Sequence, residues 1–294
     1  MAVVRGHQLE PLVDESAFLG LGRIVDERGY LGEEAARELI VTLGSYANRA
    51  RQLGATRICF VGTEPLRRAA DAAKVVDSVW RESRVPLHVV RHSEEALLTL
   101  LGATAGQPLA GELVLVDVGG GSSEFVVDAP RRKPVAAGIR VGSVRLTTRF
   151  VFSDPPTQRE IGTLNREARR AIADAPNARP ASVIVVGGTA SNLLRIVPDT
   201  LLDRTLTRGR IRHALRTLRA MTAEEVSTRH AVRVERARIL PAGAAIVGAI
   251  MDRYGVNRVQ VSDAGIREGT ILAIGHAGAS WRDSLPRLAQ GWRR

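Results

Sequence analysis

The sequence predicts an α/β protein with two domains, in which mixed sheets are flanked by helices. Short apolar strands alternate with amphipathic helices along most of the chain, a pattern typical of sheets covered by helices. Two glycine-rich bends each follow an apolar strand, one at Gly119–Gly121 and one at Gly187–Gly188. The 294 residues, 45% of them hydrophobic, are enough for two cores, because single cores stop growing near this length.

The composition excludes several classes of protein. Cys59 is the only cysteine, so no disulfide and no cysteine-rich metal site can form, which fits a reducing cytoplasm. No apolar run is long enough to cross a bilayer, and the first residues lack the pattern of a signal peptide, so we expect a cytoplasmic protein with no membrane partner. The net charge of +11 favours polyanions, but only 4% of the residues are aromatic, and no specific nucleic-acid partner is expected.

The first part of the chain alternates helices and strands up to a Gly/Pro-rich loop at residues 105–111. Apolar residues at helical spacing, including Leu39 and Leu43, predict the first long helix. The predicted helices are Glu33–Leu53, Pro65–Trp80 and Ser93–Leu101, and the predicted strands are Arg57–Gly62 and Leu87–Val90. The loop is the predicted boundary between domains 1–111 and 112–294.

The second part repeats this alternation. The predicted strands are Val114–Val116, Phe125–Val127, Val135–Ile139, Ser182–Val186 and Val259–Val261. The predicted helices are Val144–Phe150, Thr157–Ile172, Ala190–Ile196, Arg208–Met221, Val234–Tyr254 and Gly265–Ile274. The Arg-rich tail from Trp281 to Arg294 is weakly patterned and is predicted to fray or to pack as a short helix.

The first glycine bend joins two apolar strands through Asp117, three glycines, two serines and Glu124. Because glycines keep side chains away from a tight bend, backbone N–H groups there can gather around an anion such as phosphate. The two flanking carboxylates could hold a hard cation beside that anion. This segment points to phosphate chemistry more strongly than any other part of the sequence.

The second glycine bend, Gly187-Gly188-Thr189, leads from a strand directly into a helix. Free N–H groups and the helix dipole at such a start favour phosphate. The alternative is an ordinary strand-to-helix turn in which Thr189 or Ser191 caps the helix. Two bends of this kind in one chain favour a shared cleft.

A third candidate region is the tandem carboxylate pair Glu94–Glu95 at a helix start. Ser93 could cap that helix while the acidic residues complement its dipole, and the residues alone favour this structural role. Helical periodicity does not choose which Glu points inward, and a carboxylate facing a phosphate could serve as general base. Arg67, which follows another strand, could grip a phosphate or simply be solvated.

Taken in order, these motifs resemble those of the exopolyphosphatase/guanosine pentaphosphate phosphatase family, within the actin-like ATPase superfamily. The matching segments are Thr63–Arg67, Ser93–Ala96, Asp117–Glu124, Gly142–Thr147, Gly187–Ala190 and Ser262–Gly269. The resemblance implies two ribonuclease H-like domains with a cleft between them, the last helix packing back on the first domain. The family's first strand, which carries Asp, Gly and a Ser-Asn-Ser stretch, is not found in this sequence, and Leu97 stands where relatives carry Arg.

The resemblance also implies roles for individual residues. Glu95 matches the catalytic base that activates water, and Asp117 and Glu124 match carboxylates that hold Mg²⁺. The matching phosphate-binding residues are Arg67, Gly120, Gly121, Ser122, Ser123, Gly188 and Thr189.

The function implied is a phosphohydrolase that releases terminal phosphate from inorganic polyphosphate and/or guanosine pentaphosphate, and a homodimer is compatible with the resemblance. One alternative is a weakened or inactive relative that only binds polyphosphate or phosphorylated guanosine nucleotides, as the absent first strand and Leu97 suggest. A further alternative is a kinase or chaperone-type ATPase, which the glycine bends permit although no adenosine site is recognisable.

Overall fold

The computed structural model describes residues 1–5, 8–106, 111–197 and 203–289. Contacts divide the chain into two compact units. The first unit comprises Met1–Glu95 and Thr270–Arg282, and the second comprises Ala96–Gly269 and Asp283–Arg294. Most of the predicted boundary loop, residues 107–110, and the end of the predicted tail, residues 290–294, lie outside the described residues. The predicted boundary between residues 111 and 112 stays a prediction.

The first unit combines helices with two small sheets. Its strands are β1 (Ala2–Arg5), β2 (Gln8–Pro11), β3 (Phe60–Gly62) and β4 (Leu87–Val89). Its helices are α1 (Leu21–Arg28), α2 (Gly32–Gln52), α3 (Glu64–Arg68) and α4 (Ala72–Ser83), followed by the first turn of α5 (His92–Thr104). β1 pairs antiparallel with β2, and β3 pairs parallel with β4. The carboxyl ends of β3 and β4 therefore lie at one edge, and α3 and α5 begin there.

The helix predicted over Pro65–Trp80 is in fact two helices. The chain is extended at Ala69 (φ −68°, ψ 125°), which ends α3. Asp71, just before α4, directs its carboxylate away from its own helix and accepts hydrogen bonds of 2.9 Å from the amides of Leu31 and Gly32. The Asp71 carboxylate thus accepts hydrogen bonds from free amides at the start of α2 rather than from its own helix. The break at Ala69 accompanies this long-range contact, which local periodicity does not reveal.

The core of the first unit is formed by one face of each helix and by the strands. α2 was predicted within one residue at each end, and its buried positions Leu39 and Ala47 lie on one stripe. The buried core residues are Val25, Leu31, Ala35, Leu39, Ala47, Phe60, Leu66, Ala69, Val75, Val79, Val85 and Leu87. This packing fixes α3 and the β4–α5 connection, which carry the candidate residues of this unit.

The second unit has a six-stranded mixed sheet. Its strands are β5 (Leu113–Val118), β6 (Ser123–Asp128), β7 (Val135–Ile139), β8 (Ser182–Val186), β9 (Thr205–Thr207) and β10 (Arg258–Ser262), in the order β7-β6-β5-β8-β10-β9. β5, β8 and β10 are parallel to one another, whereas the other neighbours are antiparallel. Asp117 at the end of β5 is in register with Val186 at the end of β8, so both glycine bends leave the same edge of the sheet.

Helices pack around this sheet. They are α6 (Ser143–Phe150), α7 (Gln158–Ile172), α8 (Gly188–Ile196), α9 (Arg208–Ala220), α10 (Ala223–His230) and α11 (Val234–Tyr254), together with α12 (Ile266–Ala277) and α13 (Trp281–Ala289), which are shared with the first unit. The elements that were not predicted include α1, α10, β2 and β9. The capping box of α10, between Thr222 and Glu225, was a local signal that could have predicted that helix.

The most deeply buried helix is α11, which was predicted with the bounds that the structure has. Fourteen of its residues are buried, among them Ile246, Val247 and Ile250, because it packs inside the second unit rather than on its surface. Within the described part of the chain, no helix combines the length and the apolarity that a membrane crossing requires.

Candidate active site

The first glycine bend is a closed turn at the end of β5. The amide of Gly119 donates to the carbonyl of Ser122 at 3.0 Å, and the amide of Ser143 donates to Gly119 at 3.0 Å. A Cβ on Gly142 would lie 2.3 Å from the carbonyl oxygen of Gly120. Glycine at 142 therefore allows the start of α6 to approach the bend at backbone distance.

Arg145 supports this bend, a role that was not predicted. Its amide donates to Gly120 at 3.0 Å, and its Nε donates to the carbonyl of Gly121 at 2.8 Å. These bonds take up carbonyl oxygens of the bend and hold the Arg145 guanidinium against it. A positive charge here favours an anion at the bend. The residue lies in the Gly142–Thr147 motif, but its spacing alone does not reveal this contact.

Asp117 and Glu124 are brought together by the pairing of β5 with β6. They lie directly opposite each other in the antiparallel register, so their side chains share one face of the sheet. Glu124 is only 4% exposed, and Ser122 Oγ donates to its Oε1 at 2.6 Å. Like charges placed opposite each other repel, and a cation between them would relieve that repulsion. Carboxylate and hydroxyl oxygens are the ligands that hard divalent cations prefer. The residues present therefore fit a magnesium ion.

The second glycine bend packs against Asp117. Gly187 has φ +95° and ψ 164°, and a Cβ there would lie 2.6 Å from Asp117 Oδ1. Thr189 Oγ1 donates to Ser143 Oγ at 3.3 Å, and Ser191 Oγ donates to Asp263 at 2.7 Å, so neither hydroxyl caps α8. The capping alternative for Thr189 and Ser191 is therefore wrong, and among the described residues no side chain caps the start of α8.

Arg236, near the start of α11, lies beside the second bend. A Cβ on Gly188 would be 3.8 Å from its Nη1. Close packing of α11 brings it there, since Gly243 leaves room for Thr189, whose Cγ2 would be 2.2 Å from a Cβ at that position. Each glycine bend thus has one guanidinium next to it. Arg236 was not predicted as a site residue, because it lies far along the chain from both bends and belongs to none of the recognised motifs.

The candidate residues of the first unit meet where β4 leads into α5. Glu95 is 8% exposed, and its Oε2 accepts a hydrogen bond of 2.5 Å from Nη1 of Arg67. The same nitrogen donates to the carbonyl of Val90 at 2.9 Å, and Nη2 of Arg67 lies 3.0 Å from Nδ1 of His92. Arg67 is therefore held by protein groups, and its principal contact is the predicted base.

Glu94 has a structural role that separates it from Glu95. Its Oε2 accepts from the amide of Arg91 at 2.7 Å, and both its oxygens pair with Arg282 at 2.8–2.9 Å. Burial raises the pKa of Glu94, but the hydrogen bonds from Arg282 and from the Arg91 amide outweigh it and lower that pKa. Ser93 is not the cap, because α5 begins at His92 and Glu94 satisfies the Arg91 amide. The capping role thus belongs to Glu94.

Each unit gathers part of the predicted site. The second unit brings together Asp117, Glu124 and both glycine bends, and the first unit brings together Glu95 and Arg67. Ser123 is fully buried and its Oγ donates to the carbonyl of Val141 at 2.7 Å, so this hydroxyl shapes the bend from inside. The roles of these residues and the predicted cleft stay predictions.

Comparison with known proteins identifies the family. The model of the Ppx/GppA phosphatase family matches residues 1–277. The chain belongs to the Ppx/GppA phosphatase family. It is therefore a hydrolase, as the sequence predicted. Exopolyphosphatase 1 of Mycobacterium leprae is 27% identical over 91% of this chain and 83% of its own length. Exopolyphosphatase 1 of Mycobacterium tuberculosis is also 27% identical, over 91% of this chain and 81% of its own length.

Solved structures agree with this membership. The Ppx/GppA family member of Aquifex aeolicus superposes with a TM-score of 0.80 at 26% identity, over 92% of this chain and 91% of that chain. An exopolyphosphatase from Cytophaga hutchinsonii gives a TM-score of 0.80 at 20% identity, over 93% and 92%, which shows a shared fold. The predicted fold class, mixed sheets flanked by helices in the actin-like ATPase manner, is confirmed.

Proposed function

We propose that this Ppx/GppA family member releases the terminal phosphate of inorganic polyphosphate. The observation that carries the proposal is the pair of glycine bends at one sheet edge, in contact with Asp117 and each flanked by an arginine. Such an array offers amide donors and positive charge to a phosphoryl group, and phosphoryl transfer depends mainly on positioning and on charge stabilisation. The relatives named exopolyphosphatase support the choice of substrate.

The distribution of charge also favours a polyanionic substrate. The first unit has 14 basic and 14 acidic residues, whereas the second has 28 basic and 17 acidic residues. The whole excess of +11 thus belongs to the unit that contains both glycine bends. A positive field of this kind attracts a chain that carries one negative charge or more per phosphate, and the attraction weakens as salt screens it.

We propose that Asp117 and Glu124 hold Mg²⁺, with Ser122 orienting Glu124 through its 2.6 Å hydrogen bond. When bound, the cation would neutralise charge on the phosphate oxygens and help to orient them. The amides of Gly120, Gly121 and Gly188 and the start of α8 would bind the terminal phosphate, with Arg145 and Arg236 beside them. Thr189 and Ser123 would maintain the shape of the two bends through their inward hydrogen bonds.

Glu95 is the proposed general base. Its carboxylate takes the proton of a water molecule while the water oxygen bonds to the terminal phosphorus and the bridging P–O bond breaks, leaving a polyphosphate shorter by one unit. Arg67 fixes one oxygen of this carboxylate, and the pair is nearly buried, with 14% and 10% of the two side chains exposed. A fixed carboxylate is oriented before the water arrives, so less ordering is needed in the transition state.

Purified protein with long-chain polyphosphate and Mg²⁺ tests the proposal by the rate of phosphate release. Glu95→Gln keeps the size of the side chain and removes the base, so kcat should fall by about 10²–10⁴-fold. Glu94→Gln makes the same chemical change one residue away and should leave kcat within several-fold, because Glu94 acts as a cap. Glu95→Gln protein that is folded and as active as the wild type would remove the proposed base.

Guanosine pentaphosphate is the second candidate substrate, since it too ends in a phosphoanhydride and the family model covers both phosphatase types by name. Competition between the two substrates for one site would show that both use the same residues. The non-catalytic alternative predicts tight binding of either anion without turnover at any Mg²⁺ concentration. Homodimerisation and a cytoplasmic location stay predictions.

A further inference from the structure

His92 lies in contact with the arginine that holds the proposed base. It is the first residue of α5, three positions before Glu95, and its Nδ1 lies 3.0 Å from Nη2 of Arg67. An arginine nitrogen can only donate a hydrogen bond, so the imidazole must accept through Nδ1 and carry its proton on Nε2. The contact therefore assigns a tautomer to His92.

Arg67 is held at three points around its planar guanidinium. Nη1 donates both to Glu95 Oε2 and to the carbonyl of Val90, while Nη2 is directed at His92. Among the described residues, the buried Nε has no hydrogen-bond partner, so it adds nothing to this orientation. Because the guanidinium is rigid and planar, the position of Nη1 at the carboxylate depends on where Nη2 is held.

We infer that His92 is a positioning residue for Glu95 and acts through Arg67. This inference rests on the proposed function, in which Glu95 is the base. The imidazole prevents the guanidinium of Arg67 from turning within its own plane. The guanidinium in turn fixes the orientation of the Glu95 carboxylate. Without the acceptor at Nδ1, the guanidinium can rotate away from Glu95, and the carboxylate loses its preset orientation toward water.

Two replacements of His92 distinguish the effect of its hydrogen-bond acceptor from the effect of its size. Asn provides an amide oxygen close to the place of Nδ1, whereas Leu is of similar size and accepts nothing. With polyphosphate and Mg²⁺, His92→Leu should lower kcat about tenfold and leave KM within about twofold, since the loss concerns the transition state. His92→Asn should restore kcat to within about threefold of the wild type. Equal kcat for Leu and wild type, or equal impairment of Asn and Leu, would overturn the inference.

A double-mutant cycle tests whether the effect passes through Arg67. In an Arg67→Met background, His92→Leu should change kcat less than twofold, because the group that His92 orients is already absent. A full tenfold effect in that background would show that His92 acts by another route and would refute the inference. His213→Leu, on α9 of the second unit, is the matched histidine control and should leave kcat unchanged.

The Glu95→Gln variant distinguishes this inference from the proposed function. Inactive Glu95→Gln together with unimpaired His92→Leu would overturn the role of His92 alone. Active Glu95→Gln would overturn the proposed base. Thermal unfolding of each variant is the second readout: His92 is exposed, so its replacement should leave Tm nearly unchanged while kcat falls.

Discussion

Gly187→Ala tests whether the second bend is built as the structure shows. The backbone at Gly187 has φ +95° and ψ 164°, a region that only glycine occupies without strain. The added methyl group would lie 2.6 Å from Asp117 Oδ1 and 3.3 Å from the carbonyl oxygen of Val118. Either the bend or the carboxylate must move, so the substitution should affect both stability and activity.

The loss of stability has two sources, the strained backbone at residue 187 and the crowding of the added methyl group. A non-glycine residue held in such a backbone region costs about 1–3 kcal/mol. Forcing a methyl group into a filled space costs about another 1–3 kcal/mol. The free energy of unfolding of the second unit should therefore fall by about 2–6 kcal/mol, which corresponds to a decrease in Tm of roughly 5–15 °C for a unit of this size. Phosphate release should fall at least tenfold, because either the second bend or the Asp117 carboxylate is displaced.

Gly188→Ala is the matched control at the neighbouring position. Its Cβ would meet nothing nearer than Arg236 at 3.8 Å, an ordinary contact, and its φ is not positive. Both variants lose the same glycine entropy in the unfolded chain, so their difference reports on the folded bend alone. Urea unfolding followed by circular dichroism, with phosphate release measured on the same samples, gives both quantities.

If the free energies of unfolding of Gly187→Ala and Gly188→Ala agree within about 0.5 kcal/mol, the bend does not have the conformation described. If Gly187→Ala is destabilised but releases phosphate at the wild-type rate, the bend is strained as described but Asp117 is not needed for activity.

Two further predictions concern stability. Arg282→Met should destabilise the first unit by about 1–2 kcal/mol in urea unfolding, because Glu94 loses both contacts of a partly buried pair. Arg5→Met is the control, because the Arg5–Glu10 pair is mostly exposed. It should change the free energy of unfolding by less than about 0.5 kcal/mol. Partial burial raises the pKa of Glu160, but amides of Phe152 and Thr157 lower it to about 2 from its ordinary 4.5. The difference in free energy of unfolding between the wild type and Glu160→Gln should have its full value above pH 4.5. It should shrink as the pH falls toward 2.

Much of the fold could be predicted from local patterns, and each missed element has a physical cause. The long helix α11 was predicted because its apolar residues recur over about six turns. α3 and α4 were merged because the break at Ala69 depends on a bond from Asp71 to the start of α2, some forty residues earlier. β9 was missed because three residues carry too little periodicity to stand out.

Local sequence was enough to predict the two glycine bends and the residues around them. A tight bend whose backbone amides are open to a ligand needs glycine, because glycine has no side chain to cover them. β5 and β6 are joined directly by the first bend, and their pairing places Asp117 opposite Glu124. The order of motifs was enough to predict the family, since each motif is local and recognisable.

Long-range packing, in contrast, assigns the structural role to one of the tandem carboxylates and places the arginines at the bends. Adjacent helical residues point about 100° apart, and both Glu94 and Glu95 have apolar neighbours at helical spacing, so periodicity gives no preference. The choice is made by Arg282, 188 residues further along the chain, which pairs with Glu94, and by Arg67, which pairs with Glu95. Arg145 and Arg236 reach the bends in the same way, because packing rather than sequence spacing brings a guanidinium to a backbone turn.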